Sequence, residues 1–333
     1  MSQLLEMHIP MEKMRSFSSA LLNACYAIEA GKYDIVLVGG VEKMTDRWDK
    51  IRDDLMMLED PWSYYAGGTP EANHELMLRE YIKRYGISGG DLERLNITLA
   101  QISVKNHNNA LKNKYAHFRR KISLERVLRA RTSQHKYLGL YDFAPISDGA
   151  AVAILTTQEI AREYTDLPIY ILSSASATDY ITFPSREDRT SFIATRIAME
   201  NALKAAKIDL KQIGIAELYD QSTVLEMISL EDLGFSERGK AWLHLHESFE
   251  DFNGFYRLNG HELFVNTDGG LKADGNPLGA TGGAQIFEVF KQLRGEAGER
   301  QITSDGDLLY GCVQEIEGFG TKVYVHILGR EFS

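Results

Sequence analysis

Residues 265–301 read VNTDGGLKADGNPLGATGGAQIFEVFKQLRGEAGERQ. From Gly279 the run GATGGAQIFEVFKQLRG predicts a helix opened by small residues. Its glycines sit at a helix start but lack the lysine that would make a phosphate loop. Two strands follow, DGDLLYGCV from Asp305 and TKVYVHIL from Thr321. The other end of the chain repeats the order. MRSFSSALLNACYAIEAG, residues 14–31, predicts a helix over about 18–30 closed by Gly31. YDIVLVGG then reads as a strand buried on both faces, ending in glycines. Helix, glycine turn and strand recur, with "IVLVG" after Asp34 and "LLYG" after Asp307. The pattern predicts two similar α/β halves with an inserted helical section.

The insertion is residues 50–140, polar and with apolar residues at helical spacing in PEANHELMLREYIKRYG and SGGDLERLNITLAQISVKNHNNALKN. SDGAAVAIL, from Ser147, returns the chain to a buried strand. After Leu167 come PIYILSSASAT as a strand, SFIATRIAMENALKAAKI as a helix, GIAELYD as a strand and STVLEMISLEDLGF as a helix.

Composition narrows the function. The 333 residues carry a net charge of −10, which argues against nucleic-acid binding. No apolar run has membrane-spanning length, and the N-terminus lacks a secretory pattern. The two cysteines, Cys25 and Cys312, suit a reducing cytoplasm rather than a disulfide framework. One segment departs from the acidic balance. From Lys105 to Lys136 ten basic residues face the single acid Glu125, a local charge of +9. It reads either as a solvated helix face or as a site for a phosphate-bearing ligand.

Several stretches resemble the thiolase superfamily: GKYDIVLVGGVEKMTD, VKNHNNALKNKYAHF, FAPISDGAAVAILTT, AELYDQSTVLEMISLEDLGF, residues 265–301, and EGFGTKVYVHIL. The likeness is nearest to the branch related to sterol-carrier-protein thiolases. It implies an α/β thiolase-like fold of two βαβαβαββ halves, the first incomplete, and a mostly helical loop domain. Residues 1–48 and 141–166 would form the N-terminal half, 49–140 the loop domain and 167–333 the C-terminal half. It also implies coenzyme A or acyl-CoA as ligand, no covalently bound cofactor, a cytoplasmic place in acyl-CoA metabolism, and a homo-oligomer. The nucleotide end of CoA would fall at the basic segment, on Arg119, Arg120 and Lys121, with Gly279 and Gly282 approaching the acyl end.

The departures bear on chemistry. Thiolases of the family have strands and helices before the nucleophile helix, and here almost nothing precedes Met14, as in a shortened gene product or a chain completed by something else. The family places its catalytic cysteine at the N-terminus of that helix, where a thiol pKa is lowered. Here Met14 or Phe17 takes the place. Cys25 lies about nine residues into the helix from Ser16, some ~13 Å along the axis, and reads as packing. Cys312 reads as packing in a strand. The family's Gly-His-Pro base is Asn276 here; its catalytic loop is YDQS, Tyr219–Ser222; its second cysteine corresponds to Ile316, and Gln314 takes the place of a nearby histidine. Tyr219, Asp220, Asn266 and Asn276 are the surviving polar set, with Tyr219, Asp220 and Asn276 as the catalytic candidates. His244 and His246 in "HLH" alternate as on a strand, a weak zinc signal, and no metal is expected.

Two functions follow. One is a retro-aldol carbon–carbon lyase on β-hydroxyacyl-CoA, acting with a small OB-fold, zinc-ribbon partner as YDxF relatives do. The other is a non-catalytic thiolase-like subunit of a larger acyl-CoA-processing complex, or the product of a shortened gene.

Overall fold

The computed structural model describes residues 6, 8–47, 49–131, 137–303 and 308–331. Helix α1, Phe17–Glu29, begins at Ser16, whose hydroxyl accepts from Ser19 N while the Ser19 hydroxyl accepts from Ser16 N. Such a reciprocal cap is worth ~1 kcal/mol and fixes where the helix starts. Gly31, at φ +63°, turns the chain into β1, Ile35–Lys43.

Five helices follow: α2 (Ile51–Met56), α3 (Pro61–Tyr65), α4 (Pro70–Arg84), α5 (Gly89–Ala110) and α6 (Leu124–Arg129). Among the described residues no strand interrupts 49–140. β2, Asp148–Thr156, then pairs antiparallel with β1, from Ile35 opposite Thr156 to Lys43 opposite Asp148. After α7 (Gln158–Tyr164) come β3 (Tyr170–Thr178), α8 (Ile193–Ala206), β4 (Ile213–Glu217), α9 (Thr223–Asp232), α10 (Ala241–Glu250), β5 (Tyr256–Leu258) and β6 (His261–Val265). The chain ends with α11 (Gly270–Ala273), α12 (Leu278–Leu293), β7 (Tyr310–Glu317) and β8 (Lys322–Gly329).

The second sheet has the order β3-β8-β7-β4-β6-β5. Its centre, β7-β4-β6, is parallel, and β3, β8 and β5 are antiparallel additions. α1 and α12 lie between the two sheets. Phe17 and Leu21 of α1 and Ile286, Val289 and Leu293 of α12 share one core with Val38 of β1, Ile215 of β4 and Val313 of β7. The larger core is on the far side of the second sheet, against α4, α5, α8, α9 and α10.

The readings of β1 and β2 as strands hold, but their burial expectation fails. β1 and β2 read as buried on both faces, yet their outer face carries Ile35 (56% exposed), Leu37 (58%), Val41 (66%), Val152 (67%) and Ile154 (71%). The inner face packs on α1 and α12, and no described element covers the outer one. Among the described residues no helix is long and apolar enough to cross a membrane.

Candidate functional site

The turn after β4 runs from Leu218 to the N-cap of α9, Ser222. It leaves the carboxyl end of a parallel strand, where open α/β sheets place ligands. Asp220 is fully buried there. Its carboxylate accepts from Asn106 Nδ2 at 2.7 Å, Leu271 N at 2.7 Å and Lys272 N at 3.3 Å. Gly270, at φ +61°, makes this approach possible, since a Cβ would lie 2.5 Å from the carboxylate. Asp220 therefore ties the 269–272 turn to α5. Burial, and then the neighbouring Glu226, holds its pKa well above the usual carboxylate range.

Tyr219 has different neighbours. Its hydroxyl donates to Asn276 Oδ1 at 3.4 Å, an oxygen that also accepts from Thr281 Oγ1 at 2.8 Å. Asn276 N donates to Ser147 Oγ at 3.1 Å, so β2's entry loop fixes the position. Burial first, then Glu315, pushes the Tyr219 phenol above its ordinary value, so it is protonated near neutral pH.

The start of α1 completes the cluster. Ser16 Oγ donates to Glu317 Oε1 at 2.7 Å. Ser18 N donates to Glu315 Oε2 at 2.8 Å, and Gly282 N of α12 donates to Glu315 Oε1 at 3.2 Å. Glu315 is buried, and burial pushes its carboxyl up to about 7. A Cβ at Gly282 would run into Glu315 Oε2 and Ser18 Oγ. Gly279 serves a different approach: its Cβ would lie 2.9 Å from Val41 O, and a Cβ at Gly40 would strike the Gly279 carbonyl. Backbone of α12 thus rests directly on backbone of β1.

Neither cysteine is poised as a nucleophile. Cys25 is inside α1, and burial, with Glu29, pushes its thiol up to about 12. Cys312 in β7 is fully buried, and burial alone pushes it up to about 12.

The basic segment does not form one face. Lys105 is buried against Glu226 Oε1 at 2.8 Å, and Arg131 against Asp142 at 2.8 Å. Arg129 pairs with Glu125, and Lys136 lies outside the described residues. Arg119, Arg120 and Lys121 are exposed but diverge. Arg119 lines a cleft of about 490 Å³ with Lys112, Lys114, Tyr115 and Phe287. Arg120 stacks over the Phe118 ring at 5.4 Å. That ring also carries the Lys272 ammonium at 5.6 Å, whose pKa burial lowers to about 8.

The "HLH" reading is corrected. His244 and His246 lie on helix α10, not a strand, and two residues apart on a helix they diverge. His244 Nδ1 meets Ser236 Oγ and His246 Nδ1 meets Thr98 Oγ1. Among the described residues no group of three or more His, Cys, Asp or Glu could hold a metal ion.

Comparison with known proteins places this geometry. A family described as "Thiolase C-terminal domain-like" matches residues 175–330. The acetyl-CoA acetyltransferase of Methanothermobacter thermautotrophicus (strain Delta H) is 40% identical over 311 residues, spanning 93% of this chain and 76% of that protein. The chain belongs to the thiolase superfamily. Sterol carrier protein 2 of Gallus gallus is 29% identical over 302 residues, covering 86% of this thiolase-superfamily chain and 52% of that protein. Among solved structures, an Ltp2-ChsH2(DUF35) aldolase superposes with TM-score 0.74 at 23% identity, covering 94% of this chain and 77% of that one. That likeness is one of fold. The N-terminus of α1 carries Ser16, Phe17 and Ser18, with Ser16 against Glu317 and Ser18 against Glu315.

Glu315, Glu317, Thr281 and Ser147 were not among the sequence candidates. The one signal for the acids is "QEIE" in the last strand but one, two carboxylates two residues apart in an otherwise apolar run.

Proposed function

We propose that this chain binds acyl-CoA and cleaves β-hydroxyacyl-CoA by a retro-aldol reaction in place of cysteine-dependent thiolysis. The observation that carries the reading is the N-terminus of α1, where the Glu315 carboxyl group, not a thiol, receives the Ser18 N–H. Thiolysis needs a thiolate to hold the acyl group, and the half-buried Cys25 and the buried Cys312 both have raised pKa values. Retro-aldol cleavage needs no covalent intermediate. It needs a group to take the β-hydroxyl proton and donors for the enolate that forms at the thioester.

In this reading Tyr219, protonated, is the donor, and Asn276 positions the thioester oxygen. Asp220 acts through the turn it anchors. Gly279 and Gly282 let the acyl end approach α12, and Arg119, Arg120 and Lys121 take the phosphates at the nucleotide end. The chain divides into the N-terminal half, 1–48 and 141–166, the loop domain 49–140, and the C-terminal half 167–333. A homo-oligomer, or a small OB-fold, zinc-ribbon partner, completes the working assembly.

A second reading is a non-catalytic subunit of a larger acyl-CoA-processing complex. It draws on the open outer face of β1 and β2, an apolar surface of the kind that a partner covers.

The test is incubation with β-hydroxyacyl-CoA, alone and with candidate partners, followed by product analysis and intact mass. The lyase reading expects a free carbonyl compound, a shortened acyl-CoA and no acyl adduct on the protein. An acetyl adduct on Cys25 would restore thiolase chemistry, and absence of cleavage would favour the subunit.

A further inference from the structure

The retro-aldol reading has a donor in Tyr219 but leaves the β-hydroxyl proton without an acceptor. Tyr219 cannot take it, since its surroundings favour the phenol. Asp220 ties Asn106 of α5 to the Leu271 and Lys272 amides, and among the described residues no hydrogen bond joins its side chain to the Tyr219–Asn276 pair. Asn276 is an amide and carries no basic site near neutral pH.

We propose that Glu315 is the proton carrier of the site: it takes the β-hydroxyl proton and returns it to the α-carbon of the departing acyl-CoA. The inference rests on the lyase reading. Three positional observations carry it. Glu315 is held by N–H groups of both inter-sheet helices, Ser18 N at 2.8 Å and Gly282 N at 3.2 Å. Gly282, which donates to it, follows Thr281 on α12, and Thr281 bonds the same Asn276 oxygen that Tyr219 reaches. The Glu315 strand leads to the surface, since Glu317, two residues on and on the same face of β7, meets Ser16 Oγ and Arg15 near the exposed 10–15 segment.

The step balances without a cofactor. The Glu315 carboxylate accepts the hydroxyl proton; the Cα–Cβ bond breaks; its electron pair becomes the thioester enolate; the β-carbon leaves as a carbonyl. The Glu315 carboxylic acid then protonates the α-carbon and is carboxylate again. One buried carboxyl near neutral pKa suits both transfers. The titratable groups facing it are Glu317 along β7, Tyr324 opposite on β8 and Tyr219 from the 218–222 turn. α1 and α12 present Ser18 and Gly282 there.

The experiment compares wild type, Glu315→Gln and Glu315→Asp in two assays, cleavage of β-hydroxyacyl-CoA and exchange of the α-protons of acyl-CoA with deuterated solvent. Gln keeps one of the two oxygens that accept from Ser18 N and Gly282 N, loses the other to an NH2 group, and cannot carry a proton. It is expected to lose both activities by roughly 10²-fold or more, with CoA binding retained and the chain still unfolding cooperatively. Wild-type kcat/KM should fall as pH drops below about 7. Asp should retain an acid limb at a displaced pH with a lower rate. Cleavage and exchange at wild-type rate in Glu315→Gln overturn the Glu315 assignment and leave the lyase reading standing. A wild type that neither cleaves nor exchanges overturns both.

Discussion

Tyr219 and Asp220 are adjacent in sequence and separate in role. The carboxylate of Asp220 is saturated by one side-chain and two backbone donors, whereas the Tyr219 hydroxyl has one long hydrogen bond, to Asn276. A substrate oxygen could replace that bond at little cost, because a bond of 3.4 Å is weak. Tyr219→Phe removes one oxygen and leaves the ring packing in place. It should lower cleavage roughly 10²-fold or more while CoA affinity and melting temperature stay near wild type. Steady-state kinetics beside calorimetric binding checks this; unchanged turnover would remove Tyr219 from the chemistry.

Helices α5 and α9 are joined by buried charge. Lys105 Nζ meets Glu226 Oε1 at 2.8 Å and Val265 O at 3.0 Å, and lies over the Tyr256 ring. The same Glu226 accepts from Asn106, Asn266 and Tyr256. Lys105→Met would leave Glu226 hydrogen-bonded but without its counter-charge, a loss of about 3–5 kcal/mol for a broken buried pair. Denaturant unfolding should show it as a lower midpoint at unchanged slope; a midpoint equal to wild type would mean that the neighbouring amides suffice. This network joins residues more than a hundred positions apart, which is why the sequence showed Lys105 only as one member of a basic run. Helices and strands were legible because their periodicity is local. The burial of β1 was not, because a strand rich in apolar residues on both faces looks the same whether one face or two are covered. Glu315 escaped for the same reason: alternating Glu-Ile-Glu in a strand reads as a solvated face until α1 and α12 are laid over it.

At the scale of the molecule, many carboxyls are buried. Glu59, Asp232 and Glu315 are each pushed up to about 7 by burial, and Asp268 to about 6. A raised carboxyl binds its proton more tightly in the fold than in the unfolded chain. Its stabilisation is therefore complete below the unfolded pKa and lost as pH rises through the folded one. Buried His74 and His326, lowered to about 3, and His107, lowered to about 4, act oppositely, but mainly up to their unfolded value of 6.5. Between pH 6.5 and about 8 Lys272, lowered to about 8, and the tail of the histidine titration oppose the carboxyls, but the raised carboxyls, Glu217, Asp220 and Asp274 among them, outnumber these, so the melting temperature should decline across that interval. Scanning calorimetry at several pH values tests the sign, and a melting temperature that rises from pH 6.5 to 8 would contradict it. Glu315→Gln should lessen the decline.

The central claim is carbon–carbon cleavage without an acyl-enzyme, and nuclear magnetic resonance in deuterated water follows it directly. Wild-type protein, with its partners where required, is mixed with β-hydroxyacyl-CoA, and both product fragments are observed. The account predicts a free aldehyde or ketone together with an acyl-CoA carrying one deuterium on its α-carbon, formed without added thiol. Substrate returned intact under every condition, or cleavage only when free CoA is supplied as the attacking thiol, would contradict it.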